Sequence, residues 1–205
     1  MATYLGGFIP VGTITGAKWN GKAGVYVAGG NIFPGDLVKL NGSMTVKEGR
    51  NLKQVVVVTN TATDASVGVV IGKKVSSTNS GNSPTLDTPV GSTAPIASGD
   101  VVYVVDDPSI LLMAKASGTV TVANVGLTTG VNTTTAGANG RSGMAVDSTN
   151  LNAGTNTASW TLKVLDFVDS PDNDAGATTT SASGATLIVK INNHQYNPAT
   201  GIAGV

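Results

Sequence analysis

The chain has 205 residues, with twelve Lys or Arg, twelve Asp or Glu, one histidine and no cysteine, so its formal net charge is zero. Charged residues make up 12% and aromatics 4%. That composition excludes disulfides and thiolate chemistry, gives no basic footprint for nucleic acid, and leaves few groups for acid–base catalysis.

The N-terminal stretch Met1 to Pro10 places Tyr4, Leu5, Phe8 and Ile9 among glycines. It lacks the basic start and long apolar run of a secretory signal. Apolar side chains on a glycine-rich segment call for a surface to cover them, either a partner's or the chain's own. Residues 1–15 are accordingly expected to form an N-terminal arm, with Tyr4, Leu5, Phe8 and Ile9 as contact residues.

From there the dominant period is two, the signature of strands. Pro34-Gly35 is a turn signal ahead of a strand over Asp36–Leu40. Lys53–Thr59 and Ser66–Ile71 are short β-branched runs, and Gly99-Asp100 opens Val101–Val105, stopped by Asp106-Asp107-Pro108. Ile110–Ala116 reads as a buried strand or a helical turn, and Ser117-Gly118 predicts a hairpin into Thr119–Ala123. In Ala158–Val168, Trp160, Leu162 and Val164 share one face while Leu165 and Phe167 share the other. That switch predicts a β-bulge or a strand buried on both sides. Ala185–Asn192 turns Leu187, Val189 and Ile191 inward and Lys190 outward.

No window carries a convincing helical stripe, and no segment approaches the ~20 apolar residues of a membrane span. The polar, small-residue stretches Ser76–Ser98, Thr128–Gly140, Asn150–Thr157 and Ala175–Gly184 are expected to be surface loops. The fold class is therefore all-β: a small β-barrel or sandwich module over residues 16–105, then a second β-rich domain with a C-terminal tail over 106–205. Charge is divided between the ends. Residues 1–75 hold eight basic and three acidic residues, or +5, and residues 76–205 hold four and nine, or −5. Such a division favours electrostatic docking or head-to-tail association where it is not simply surface drift.

Few residues offer chemistry. Asp169, Asp172, Asn173 and Asp174 gather oxygen donors on one turn, a donor set for calcium, though Asp, Pro and Asn are equally the residues of a turn between strands. Asp106 and Asp107 are adjacent carboxylates at a strand end; neighbouring strand residues face opposite ways, so they read as a strand terminator. His194 has neither a Gly-x-Ser-x-Gly partner nor a second histidine, and reads as a hydrogen-bonding group near the chain end. The glycine-rich stretch Gly137–Gly143 lacks the Gly-Lys-Ser/Thr of a phosphate loop. No cofactor and no catalytic residue are expected.

Gly35-Asp36-Leu37-Val38, Val67-Gly68-Val69-Val70-Ile71-Gly72 and Gly99-Asp100-Val101-Val102-Tyr103-Val104 together resemble the small β-barrel of decoration (cement) proteins on tailed-bacteriophage capsids. Ser170-Pro171-Asp172-Asn173 and Leu187–Gln195 are similar to stretches of phage structural proteins. The resemblance covers about half the chain. It implies a non-enzymatic homotrimer, made in the host cytoplasm, that sits on the outer capsid surface of the virion and bridges subunits of the major capsid protein, with no nucleic-acid or membrane partner. Another phage part, such as a head fibre base or tail component, and a secreted carbohydrate-binding or adhesin module remain the alternatives.

Overall fold

The computed structural model describes residues 6–59, 64–74, 94–133, 140–152, 159–169, 173 and 185–197. Its first strand, β1 (Ile9–Thr13), belongs to a sheet completed near the other end of the chain. The next five, β2 (Gly24–Ala28), β3 (Leu37–Lys47), β4 (Arg50–Val57), β5 (Gly68–Lys73) and β6 (Val101–Val105), close a barrel in the order β2-β4-β3-β5-β6. Every pairing in it is antiparallel except β2 with β4.

Tyr26, Ala28, Val38, Val55, Val70, Val102 and Val104, contributed by all five barrel strands, form one buried cluster with Ile32, Val67 and Ile96. Adjacent residues on the same strands face the other way. Leu37, Val69 and Val105 join a second, larger cluster outside the barrel. The continuous valine runs thus record strands buried on both faces, where simple alternation of apolar and polar residues is lost. Gly68 is fixed by this crowding: a Cβ there would collide with the Val105 carbonyl oxygen.

Four residues after the barrel closes, β7 (Ile110–Lys115) begins. It is followed by β8 (Thr128–Thr129), β9 (Val131–Asn132), β10 (Ala145–Val146), the short helix α1 (Ser148–Asn152), β11 (Leu162–Phe167) and β12 (Thr186–Ile191). The second sheet runs β1-β7-β12-β11-β8, and β9 pairs with β10. Its inner face carries Ile110, Leu112, Ala114, Leu162, Val164, Leu187, Val189 and Ile191 into the same cluster that receives Leu37, Val69 and Val105. Barrel and sheet therefore share one core. Each of these Leu and Ile side chains contributes about 1.5–3 kcal/mol through burial.

The all-β expectation is met, with a barrel followed by a second β-rich region. The inward set Leu187, Val189 and Ile191 is buried as read from the sequence. Register along β11 shifts between Val164 and Asp166, so Leu165 occupies a bulge. The bulge returns Phe167 to the core face beside Leu187, resolving the change of face seen in the sequence.

Three expectations are corrected. Ile110–Lys115 is a strand, but it pairs with β1 and β12; Val122–Asn124 is a 3-10 turn, not the return arm of a hairpin. Thr128–Gly140, Ser76–Ser98 and Asn150–Thr157 are not wholly surface loops, because Thr128, Thr129 and Val131 are buried in β8 and β9, Ile96 is buried where it bridges Ile32, and Leu151 is buried in α1. Polarity misleads there: the Thr129 hydroxyl donates to the Asp147 carbonyl at 2.6 Å, so burial leaves it satisfied. Residues 1–15 do not form a free arm from residue 8 onward. Phe8 is buried in the shared core and β1 is hydrogen-bonded to β7. The Phe8 amide donates to the Gly35 carbonyl at 2.9 Å, and the backbones approach so closely that a Cβ on Gly7 would lie 2.9 Å from Gly35.

Candidate interaction surface

The hairpin of β3 and β4 changes character along its length. Its inner half is barrel wall, and β3 pairs with β5 only at Leu37 and Val38. Register shifts between Leu40 and Met44, where Gly42 takes a φ of +82°. Beyond that bulge the two strands continue as a ribbon, Met44 to Lys47 paired with Lys53 to Arg50. The turn is Glu48-Gly49, with φ of +52° and +74°, the positive values that a two-residue hairpin turn of matching twist requires.

One face of the ribbon turns toward the body. Leu52 is buried with Val27 and Val101, and Gln54 donates to the Thr45 hydroxyl at 2.7 Å. The opposite face holds Met44 and Val46, 61% and 68% exposed. Lys53, directly across from Met44, lies 5.2 Å from the centroid of the Tyr196 ring, itself 45% exposed. Val46, Met44, Lys53 and Tyr196 thus make one continuous patch, apolar with a cation in it. Lys47 and Arg50 flank the turn, and Glu48, paired with Lys74 and Arg50, is its one acid. Those two cations hold the Glu48 carboxyl below the usual range, led by the Lys74 hydrogen bond.

Beside this patch the chain end is fastened to the barrel. Ser66 donates its amide to the Asn193 carbonyl and accepts from the Gln195 amide, both at 2.9 Å, and the Gln195 side-chain oxygen accepts from the Leu40 amide at 2.6 Å. Tyr26 donates to Asp106 at 2.6 Å, and its oxygen lies 3.0 Å from the Tyr196 hydroxyl. Burial, then the bonds to Asp106 and Tyr196, push the Tyr26 phenol far up, so it stays a neutral donor. His194 is 1% exposed; its Nδ1 accepts from the Tyr196 amide at 3.0 Å, and its Nε2 has no hydrogen-bond partner among the described residues.

The residues singled out in the sequence fall as follows. Phe8 lies in the core, Ile9 is half-buried at the start of β1, and Tyr4 and Leu5 lie outside the described residues. Asp169 is exposed; Asp172 and Asp174 lie outside the described residues. Asn173 is committed to the fold: its amide donates to the Val168 and Thr186 carbonyls and its oxygen accepts from the Thr186 amide, all at 2.8 Å. Among the described residues no three His, Asp or Glu side chains converge as metal ligands. Asp106 and Asp107 take different hydrogen-bond partners. Asp106 meets Tyr26, whereas Asp107 accepts from the Ser109 amide and hydroxyl at 2.8 and 2.7 Å, bonds that lower its carboxyl. No helix among the described residues is long and apolar enough to cross a membrane.

The ribbon is what the sequence reading missed. Its signal was present in Met44-Thr45-Val46-Lys47, which alternates with period two after Asn41-Gly42. No family model matches the chain, and no curated protein matches it.

Proposed function

We propose that the chain is a structural protein of a tailed-phage virion, a trimeric decoration protein that binds the outside of an assembled head and bridges major capsid subunits. The observation that carries this reading is the ribbon. A barrel with strands buried on both faces holds a paired two-stranded projection whose outer face offers Met44 and Val46, with Lys53 and Tyr196 alongside. Exposed apolar side chains rimmed by polar ones mark protein-contact sites. Repeated around a threefold axis, even a modest patch would gain strength by multivalency. The described acids and the histidine support the same reading, since Asp106, Asp107 and His194 serve hydrogen bonds that hold strand ends and the chain end.

The test is cosedimentation with undecorated heads built from the major capsid protein of the same phage, alongside light scattering of the free protein. The reading predicts saturable binding to whole heads, a rise in the temperature at which heads rupture, and a solution mass three times that of the chain. Binding to tails or isolated vertices alone would make it another phage part; no binding to any particle would overturn the reading.

A further inference from the structure

The fastening of residues 193–197 to the barrel includes one buried titratable ring, His194, whose Nε2 has no hydrogen-bond partner among the described residues. Asn192 still belongs to the second sheet, with its amide on the Thr161 carbonyl at 2.7 Å and its side chain on the Trp160 carbonyl at 3.0 Å. Asn193 is shared: its amide lies 3.3 Å from the Thr161 carbonyl and its side chain donates to the Ser159 carbonyl at 3.2 Å, while its own carbonyl accepts from Ser66; from there to Asn197 the chain lies on the barrel, held at Ser66, Leu40 and Tyr26. His194 is the second residue of that segment and is fully buried.

Because Nδ1 accepts the Tyr196 amide, the proton of the neutral ring is on Nε2. A second proton can go only to Nδ1. There it would face the Tyr196 N–H, donor against donor at 3.0 Å, and the bond would be lost. The charge would also be created in a buried site, against a backbone that the same turn uses for the Asn197 amide to His194 carbonyl bond at 3.0 Å. The groups that act on the ring are Asp106 and Asp107 beyond β6, the backbone of Val67 ahead of β5, and Tyr196; Tyr26 of β2 bonds Asp106 and Tyr196, and Lys53 lies 5.2 Å from the Tyr196 ring centroid. Burial holds the imidazole below its ordinary value and outweighs the opposing pull of Asp106, Val67 and Asp107.

We propose that Asn193–Asn197 is an acid-released strap, held shut on the barrel by neutral His194 and freed when His194 takes a second proton. The sign follows from linkage. The open form titrates near the ordinary value of about 6.5 and the closed form lower, so closure is fully stable above about 6.5 and weakens as pH falls through the interval between them. Opening bares the backbone of Leu40 and Ser66 and withdraws Tyr196 from Lys53, so it also remodels the edge of the ribbon patch.

Hydrogen exchange between pH 7.5 and 5.0, corrected for the intrinsic effect of pH on exchange, tests this on the full chain. Peptides over 193–197 and 64–68 should lose protection by up to about tenfold per pH unit below about 6.5, while a peptide over 101–105 keeps its protection. His194→Gln should flatten that dependence. Should that variant fail to fold, His194 is the chain's one histidine, so its NMR titration can be followed alone in the wild type. A midpoint coinciding with loss of protection in 193–197 supports the strap. Equal pH dependence in the wild type and His194→Gln, a titration midpoint apart from the opening, or simultaneous loss over 101–105 would each overturn it.

Discussion

The two halves of one hairpin make opposite use of the same strand chemistry. In the inner half of β3, Leu37 and Val38 are adjacent and both fully buried, one facing the second sheet and the other the barrel interior. In the outer half, Met44 and Val46 face solvent while Thr45 between them turns to the body. Backbone pairing continues through both halves, interrupted only by the bulge before Met44. What differs is how many faces have something to pack against. Stability is concentrated where both faces are covered, and the outer half can change its exposed side chains at little cost to the fold.

That contrast can be broken most severely at Gly68. Alanine there puts a Cβ into the Val105 carbonyl at the junction of barrel and sheet. The strands must part to relieve it, so Gly68→Ala should abolish cooperative unfolding or lower stability by more than about 4 kcal/mol, read by thermal denaturation. Leu187→Ala empties a buried site of the shared core and should cost about 2–5 kcal/mol, with loss of protection spreading into the barrel because the core is common to both. Asn173→Ala removes three hydrogen bonds between the ends of β11 and β12 and should cost about 1–3 kcal/mol, read by chemical denaturation with an unchanged m-value. Met44→Ser with Val46→Thr should move stability by no more than about 0.5 kcal/mol, since both side chains are mostly exposed.

The legibility of the sequence follows the same division. Where a strand has one buried face, period two is plain, and Leu187, Val189 and Ile191 were readable directly. The bulge at Leu165 was readable because two apolar sets on opposite faces of one strand need a register change to reach one core. Where a polar group is buried with its partner, composition says nothing of it, and Thr128 and Thr129 passed for loop. Phe8 passed for an arm residue because the pocket that receives it is assembled from strands distant in sequence. The ribbon is hard to read in the sequence because Asn41-Gly42 punctuates like a turn, while the pairing resumes beyond it and the chain reverses only at Glu48-Gly49. His194 reads as a hydrogen-bonding group and is one; it is buried beside Ser66 and Val67, distant elements that no local pattern connects to it.

The most direct test compares the wild type with the double variant Met44→Asp and Val46→Asp, which puts two charges on the apolar patch, in one experiment, recording the melting temperature of the free protein and its cosedimentation with undecorated heads. The account predicts an unchanged melting temperature and loss of head binding by at least an order of magnitude. Wild-type binding by the double variant, with its fold intact, would show that the ribbon is not the contact surface.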